Sequence, residues 1–567
     1  MFKGHPKGLW VFLFANMGER FGYYTMLAIF VLFMQAKFGM DATEAGHVYG
    51  TFLFGIYFIP LLGGLLADKV LGFSKTILIG IVLMIAGYFL LAQPGQTELI
   101  VYVALAIISL GTGFFKGNLQ ALVGKLYDDA KYSKFRDSAF SVFYMGINVG
   151  AFFAPSAANG ISNWIMGASG LTYNPNIPKL ANEYLSSTAG GTSPVDIEQY
   201  TNLAKSTIVD GGGYQFTDIA TYSKDYIDTL SASYNWGFGL AAISIIISLL
   251  IFVIFRGTYK HVSTNPIRKG AKKVAEAAKN VITLTPEQTK KRLIALGLLF
   301  LVNIFFWMAF HQNGFTLTIF ARDYTVTEVG RLTFILFDLM ALIPIIAAII
   351  GVVLLFGKKN SSMIKIIGVG LIVIGSVIAY FSIASFNDTM PISPMIFQHF
   401  NPIFIVFVTP IIIGIFGALN RKKREPSSPR KIGIGLFVAG ISFLIMVYVS
   451  YGMGVAGEFQ SGAAADAIRV TPYWLISTYF MLTISELFYS PIGISFVSKV
   501  APPSLSGLMQ GGWLGSTAIG NLLAGFIGPF WQDWEMWQFF LLLTGILTLS
   551  AIFIFAIIKI LENATKE

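Results

Sequence analysis

Residues 243–302 read ISIIISLLIFVIFRGTYKHVSTNPIRKGAKKVAEAAKNVITLTPEQTKKRLIALGLLFLV. An apolar run stops at Phe255, a hydrophilic stretch follows, and a second apolar run begins after Arg292. Arg268, Lys269, Lys272, Lys273, Lys279, Lys290, Lys291 and Arg292 make the stretch between them strongly basic. An apolar run of about 20 residues crosses the ~30 Å hydrocarbon core of a bilayer as a helix. Lys and Arg collect on the cytoplasmic side of such helices. Residues 256–291 therefore read as a cytoplasmic linker joining two membrane-embedded halves. Within them Ala271–Asn280 has the pattern of a short amphipathic helix resting on an anionic leaflet.

Working outward, fourteen candidate spans emerge, at roughly 8–37, 42–66, 74–94, 98–122, 137–159, 234–255, 292–321, 331–357, 362–386, 395–418, 431–452, 471–498, 505–531 and 535–560. The runs are too long and too uniformly apolar for membrane-spanning strands. Composition agrees: 55% of the 567 residues are apolar and 12% charged, about half the charge of a soluble chain. With no cysteine, thiolate–metal and thiol-nucleophile chemistry are excluded. An even number of spans puts both termini on one face. If that face is cytoplasmic, 30 Lys and Arg fall inside, 7 outside, and Arg20 and Lys116 within spans, accounting for all 39. The net charge of +10 is thus a positive-inside bias and not a nucleic-acid footprint. The first span, carrying Glu19 and Arg20, reads as a retained helix and not a signal peptide.

Six spans, a basic linker and a second set of spans outline an all-α polytopic membrane protein of the major facilitator type, in which two six-helix bundles rock about a central site. The expected division is 1–255 for the first bundle, 256–291 for the linker, and 292–330 with 387–567 for the second bundle. Residues 331–386 form an inserted two-helix hairpin, expected to face lipid, whose one strongly polar residue within a span is Asp338. Residues 160–233 make one long outer loop with seven acidic residues and three lysines. Loops of that length are either folded caps or poorly ordered, and both readings stay open here.

Ionisable groups at membrane depth are costly and by default mark function. They are Glu19, Arg20, Lys116, His311 and Glu486. Asn16, Arg20 and Tyr24 are four apart and share one face of the first span; Glu19 and Tyr23 share the next; Glu486 and Ser490 align likewise. Acids and bases at similar depth on different helices can neutralise one another, and protonation can then break a bridge that holds one conformation. A static structural bridge is the plainer alternative.

Seven motifs in register then carry a resemblance. Glu19-Arg-Phe-Gly-Tyr-Tyr24 resembles the ExxERFxYY motif of the proton-dependent oligopeptide transporter family. Gly111-Thr-Gly-Phe-Phe-Lys-Gly-Asn118, Phe143-Tyr-Met-Gly-Ile-Asn-Val-Gly150, Trp307 with Gln312, Asn401-Pro-Ile-Phe-Ile405, Ser485-Glu-Leu-Phe-Tyr-Ser-Pro491 and Gln510-Gly-Gly-Trp513 resemble its later motifs, in order. Gly64-x-x-x-Asp68-Lys69 resembles the general facilitator loop motif. The resemblance implies a peptide cavity lined by Tyr23, Tyr24, Tyr57, Lys116, Tyr144, Asn148, Trp307, Asn401, Glu486, Ser490 and Trp513. Glu486 would hold the peptide amino terminus, and Lys116 would face its carboxylate and interact with the acids of the first span. Glu19, Arg20, Lys116 and His311 would carry proton coupling.

Departures from the family pattern qualify the cargo. Asn16 stands where the motif has its first acid, Leu27 where it has an arginine, His311 where an acid precedes the glutamine, and Gly117 where it has a proline. The leading expectation is proton-coupled uptake of di- and tripeptides at a cell inner membrane, with both termini cytoplasmic, by a monomer whose partners are peptide, protons and lipid. The alternative keeps the fold but carries another small nitrogen-containing solute, or exchanges without coupling. No Ser-His-Asp order, HExxH or phosphate-binding loop points to an enzyme. No metal site, cofactor or nucleic-acid partner is expected.

Overall fold

The computed structural model describes residues 4–128, 131–132, 135–188, 196–263, 285–357, 360–458, 467–502 and 505–566. Ala271–Asn280, most of the basic linker, and the side chains of Asp68 and Lys69 lie outside the described residues. Helices α1 (Lys7–Phe38), α2 (Ala42–Leu66), α3 (Phe73–Ala92), α4 (Glu98–Leu126) and α5 (Arg136–Ala168) come first. Two short helices, α6 (Ile177–Thr188) and α7 (Ile197–Ser206), precede α8 (Ile219–Ile254). After the linker, α9 (Pro286–Phe310) runs through a tight turn at His311–Gly314 into α10 (Thr316–Asp323). A hairpin of α11 (Leu339–Phe356) and α12 (Ser362–Ala384) follows, then α13 (Phe400–Arg421), α14 (Ser428–Ser450), α15 (Tyr473–Val500), α16 (Ser506–Phe526) and α17 (Met536–Ala556).

Twelve helical segments are long and apolar enough to cross a membrane, α9 and α10 counting as one. With α5 (33 residues) and α16 (21 residues) they make the fourteen-helix plan. Both chain ends therefore lie on one face, here the terminal face; the other is the loop face. Polar caps set where helices start. Asp41 and Glu44 form a capping box on α2, and Thr285 and Gln288 form one on α9, with Pro286 in its first turn. α1 ends at Gly39, whose φ of 67° is the left-handed conformation that glycine supplies without strain.

In the first half α1 packs against α5 and α8, α3 against α4 and α8, and α2 against α4. In the second, α14 packs against α15 and α17, α9 against α16, and α13 against α15. The halves meet where α2 lies on α16, and where α5 lies on α13 and the turn Pro394–His399 before it. At the loop face a Cβ on Gly525 would lie 1.9 Å from the Gly46 carbonyl oxygen, so only glycine permits this approach. The hairpin is different. Its helices pack chiefly on each other, and Val353, Phe356, Met363, Ile366 and Phe381 are exposed as lipid-facing residues should be.

One point that the sequence reading left open takes a definite form, and two details differ from that reading. The 160–233 region is a folded cap among the described residues: α5 and α8 extend into it, and Tyr200, Tyr222 and Tyr226 are buried between them and the short helices. Its tyrosines supply the apolar area, and pairs such as Tyr200 Oη with Ser223 Oγ (2.7 Å) satisfy the buried hydroxyls. The span expected at 292–321 is broken at His311–Gly314. Asp338 is not within a span; its carboxylate accepts the Ala341 N–H (2.8 Å) and caps α11. Antiparallel strands Glu328–Gly330 and Thr389–Pro391 clamp the base of the hairpin.

Candidate functional site

On α1 the site begins with a pair of neighbours. Arg20 Nε and Nη2 donate to Glu19 Oε2 (2.6 Å) and Oε1 (2.5 Å), a bidentate contact with both side chains almost fully buried. Adjacent helical residues do not face each other, so both long side chains bend to meet. The guanidinium also stacks 4.6 Å above the Tyr23 ring, and Tyr23 meets Tyr24 edge-on at 5.2 Å. Close packing of α5 on α1 fixes this face: a Cβ on Gly150 would lie 2.5 Å from the Met17 carbonyl oxygen.

Lys116 of α4 sits differently from the static bridge considered above. Its ammonium lies 4.0 Å above the Tyr57 ring, and among the described residues it forms no ion pair. Asn118, two residues on, donates to the Gly63 carbonyl of α2 (3.1 Å) and the Phe114 carbonyl (2.9 Å). That stitch locks α4 to α2 and sets Lys116 over Tyr57.

The second half presents one carboxylate. Asn401 Nδ2 of α13 donates to Glu486 Oε2 of α15 (2.9 Å) and meets Thr483 Oγ1 (3.0 Å). A neutral amide thus orients Glu486 without neutralising it. Higher in the second half, Trp307 and His311 approach the Tyr57 ring of the first (6.5 and 6.2 Å), so the two halves face each other there. Below Glu486, Tyr489 stacks on Phe306 (3.8 Å, 16°) and on Trp513 (6.0 Å, 27°). Trp513 has room because α15 carries Gly493, where a Cβ would fall 2.3 Å from the indole.

The break after α9 aims two further rings. Gln312 Nε2 donates to the Met308 (3.1 Å) and Ala524 (3.0 Å) carbonyls, and its Oε1 accepts from Thr316 Oγ1 (2.9 Å). This one side chain satisfies the interrupted helix and ties it to α16. His311 then stacks on Trp307 (5.4 Å, 29°), and both approach Tyr57 (6.2 and 6.5 Å). Tyr23 Oη, Trp307 Nε1 and His311 Nε2 are buried and have no hydrogen-bond partner among the described residues. Each is a group that a guest in the cleft can satisfy.

The structure therefore gathers Glu19, Arg20, Tyr23, Tyr24, Tyr57, Lys116, Trp307, His311, Asn401, Glu486 and, through Tyr489, Trp513. Ser490 lies one turn from Glu486 on α15. Tyr144 and Asn148 stand apart: the Asn148 amide donates back to the Tyr144 carbonyl (3.2 Å), and Tyr144 is 45% exposed on α5. Sequence reasoning missed Thr483, Tyr489 and His399. His399 is buried in the turn before α13, with Nδ1 against Ser156 Oγ of α5 (3.4 Å) and Nε2 against the Leu336 carbonyl (3.0 Å). Its place between two apolar runs was a visible signal that went unread.

What can this arrangement do? The arrangement offers one cation on the first half, at Lys116, and one carboxylate on the second, at Glu486. Aromatic walls add apolar contact with few demands on side-chain shape.

Comparison with known proteins agrees with this plan. The family model described as "POT family" matches residues 74–289 and 374–537, more than half of the chain. The chain is similar to the peptide transporter YePEPT of Yersinia enterocolitica, with 27% identity over 93% of this chain and 88% of the relative. Among solved structures, a peptide transporter of the POT group in complex with alafosfalin superposes with a TM-score of 0.65 at 24% identity, covering 100% of this chain and 97% of the other. A POT family transporter in complex with 5-aminolevulinic acid gives a TM-score of 0.67 at 20% identity, covering 99% and 98%. The chain belongs to the POT family: it is an integral membrane transport protein of the major facilitator fold, not an enzyme.

Proposed function

We propose that this POT-family chain imports di- and tripeptides together with protons, by alternating access at a cell inner membrane, as a monomer with both termini cytoplasmic. The bodies that rock are residues 1–255 on one side and 292–330 with 387–567 on the other; 331–386 is a lipid-facing hairpin beside them. One observation carries the reading. Glu486 is held by the neutral Asn401 in the second half, Trp307 and His311 of that half approach Tyr57 of the first, and Lys116 rests on Tyr57 with no ion pair among the described residues. A peptide's ammonium and carboxylate complete both. Tyr23, Tyr24, Tyr57, Trp307, Ser490 and Trp513 wall the chamber, and Tyr144 and Asn148, which stand apart in this structure, join them on the family pattern alone. Glu19 with Arg20 is the proton-responsive pair, and His311 lies where a second proton site would sit.

The test is uptake of labelled dialanine into liposomes holding the pure protein, with and without an inward proton gradient. Concentrative uptake that needs the gradient supports the proposal, and equilibrative exchange alone removes the coupling from it. A second reading keeps the fold with another small nitrogen-containing solute. Leu27 in place of the family's arginine favours it, as does the relative bound to 5-aminolevulinic acid. Carboxyl-blocked peptides competing as well as free ones would favour this second reading.

A further inference from the structure

At the loop face two arginines of the second half reach into the first. Arg322, at the end of α10, is held by its neighbour Asp323 through Nε–Oδ1 (2.7 Å) and Nη2–Oδ2 (2.9 Å), and both are nearly buried. Its remaining nitrogen, Nη1, donates to Gln35 Oε1 on α1 (2.8 Å). Arg469, between α14 and α15, is held by the carbonyls of Arg322 (3.0 Å) and Thr325 (2.7 Å) through Nη1. Its Nη2 donates to Asn176 Oδ1 in the cap (2.9 Å). Asn176 is itself buried. The cap is fastened to the same end of α1, because Asn182 Nδ2 donates to the carbonyls of Ala36 (3.0 Å) and Gln35 (3.4 Å).

The two contacts share one design. Each guanidinium is anchored at home and gives one N–H to a neutral amide oxygen across the seam. When the halves part, Arg322 keeps Asp323 and Arg469 keeps its carbonyls. No bare charge is left behind, as one would be if a buried ion pair spanned the gap. The Arg322–Gln35 crossing is a single charge-assisted hydrogen bond, and the Asn176 oxygen receives one from Arg469; a bond of this kind is strong enough to bias a two-state equilibrium and weak enough to release.

We propose that Arg322–Gln35 and Arg469–Asn176 form the latch that holds the loop-face gate closed, and that the 160–233 cap is a working part of that gate. Gln35, Asn176, Arg322 and Arg469 are positioning residues: they set the balance between closed and open states and do not touch the cargo. The inference rests on the alternating-access reading above.

The chain's lack of cysteine makes the test direct. Spin labels on Ser206→Cys in the cap and Glu328→Cys in the second half, both exposed, report the width of the loop-face gate by electron–electron distance measurement in liposomes. Gln35→Ala and Asn176→Ala are each expected to raise the open-to-closed ratio about tenfold, the worth of one such bond. Gln35→Glu and Asn176→Asp turn the neutral acceptors into ionic ones and are expected to do the reverse, shrinking the wide population and slowing uptake. A merely structural role moves all four the same way, towards lower yield and thermal stability. Two populations in the parent that none of the variants shifts would overturn the latch alone. One population in the parent with and without dialanine and a proton gradient would overturn the alternating-access reading, and the latch with it.

Discussion

The two halves of the cleft handle charge in opposite ways. The α1–α4 side collects three ionisable groups, Glu19, Arg20 and Lys116, of which the first two bond each other and the third leans on an aromatic face. The α13–α15 side has one, Glu486, oriented by an amide that leaves its charge intact. A crowded side can trade protons internally, because changing one member alters the others' partners. A lone carboxylate awaits a cation from outside. On the proposed reading, the comparison separates two tasks: the internally paired Glu19 and Arg20 of the first half suit coupling, and the lone Glu486 of the second suits holding the cargo's ammonium.

The sharpest way to break it is Glu486→Gln. Removing one member of a desolvated charged contact costs about 2–5 kcal/mol, so dialanine affinity is expected to fall roughly a hundredfold, both in exchange and in driven uptake. Competition binding measures this, and an unchanged affinity would reassign the amino-terminal clamp. Next comes Glu19→Gln on the crowded side. Gradient-driven uptake is expected to vanish while counterflow exchange stays within about threefold, since only the proton-responsive member is lost; driven uptake at the parent rate would remove Glu19 from the coupling role. Asn401→Ala keeps the carboxylate but frees it. The loss of one hydrogen bond to a charged group, about 1.5–3 kcal/mol, is expected to raise KM roughly tenfold or more with the gradient dependence intact. If the gradient dependence changed instead, the division of labour between the halves would be wrong. The smallest effect is expected far from both sides. Asp338→Ala removes the cap of α11, about 1 kcal/mol of helix stability, and should leave dialanine KM unchanged. A change in KM would make the hairpin a partner of the cleft.

Much of this was legible before any coordinates. The span plan rests on free energies of several kcal/mol per exposed polar group in hydrocarbon, so long apolar runs had little choice but to become helices. The charges within spans were equally visible, because so few survive there. Pairing was less so. That Lys116 rests on Tyr57 depends on how α4 lies on α2, which Asn118 and Gly63 decide through a contact 55 residues apart. Tyr489 is unremarkable in its own helix and gains meaning only from the Phe306 ring that faces it, whereas His399 was visible between two apolar runs and only its Ser156 partner needed the fold.

By itself, then, the sequence determined the medium, the helices, the family motifs and the inventory of charges, since burial in lipid and helical periodicity are local properties of a run of residues. Tertiary structure alone decided that 160–233 folds as a cap, that the helix after Phe310 breaks, and that Gln35 and Asn176 receive arginines 287 and 293 residues further along the chain. The reason is physical. A hydrogen bond between distant segments depends on the distance and angle that packing leaves between them, and no local pattern encodes either.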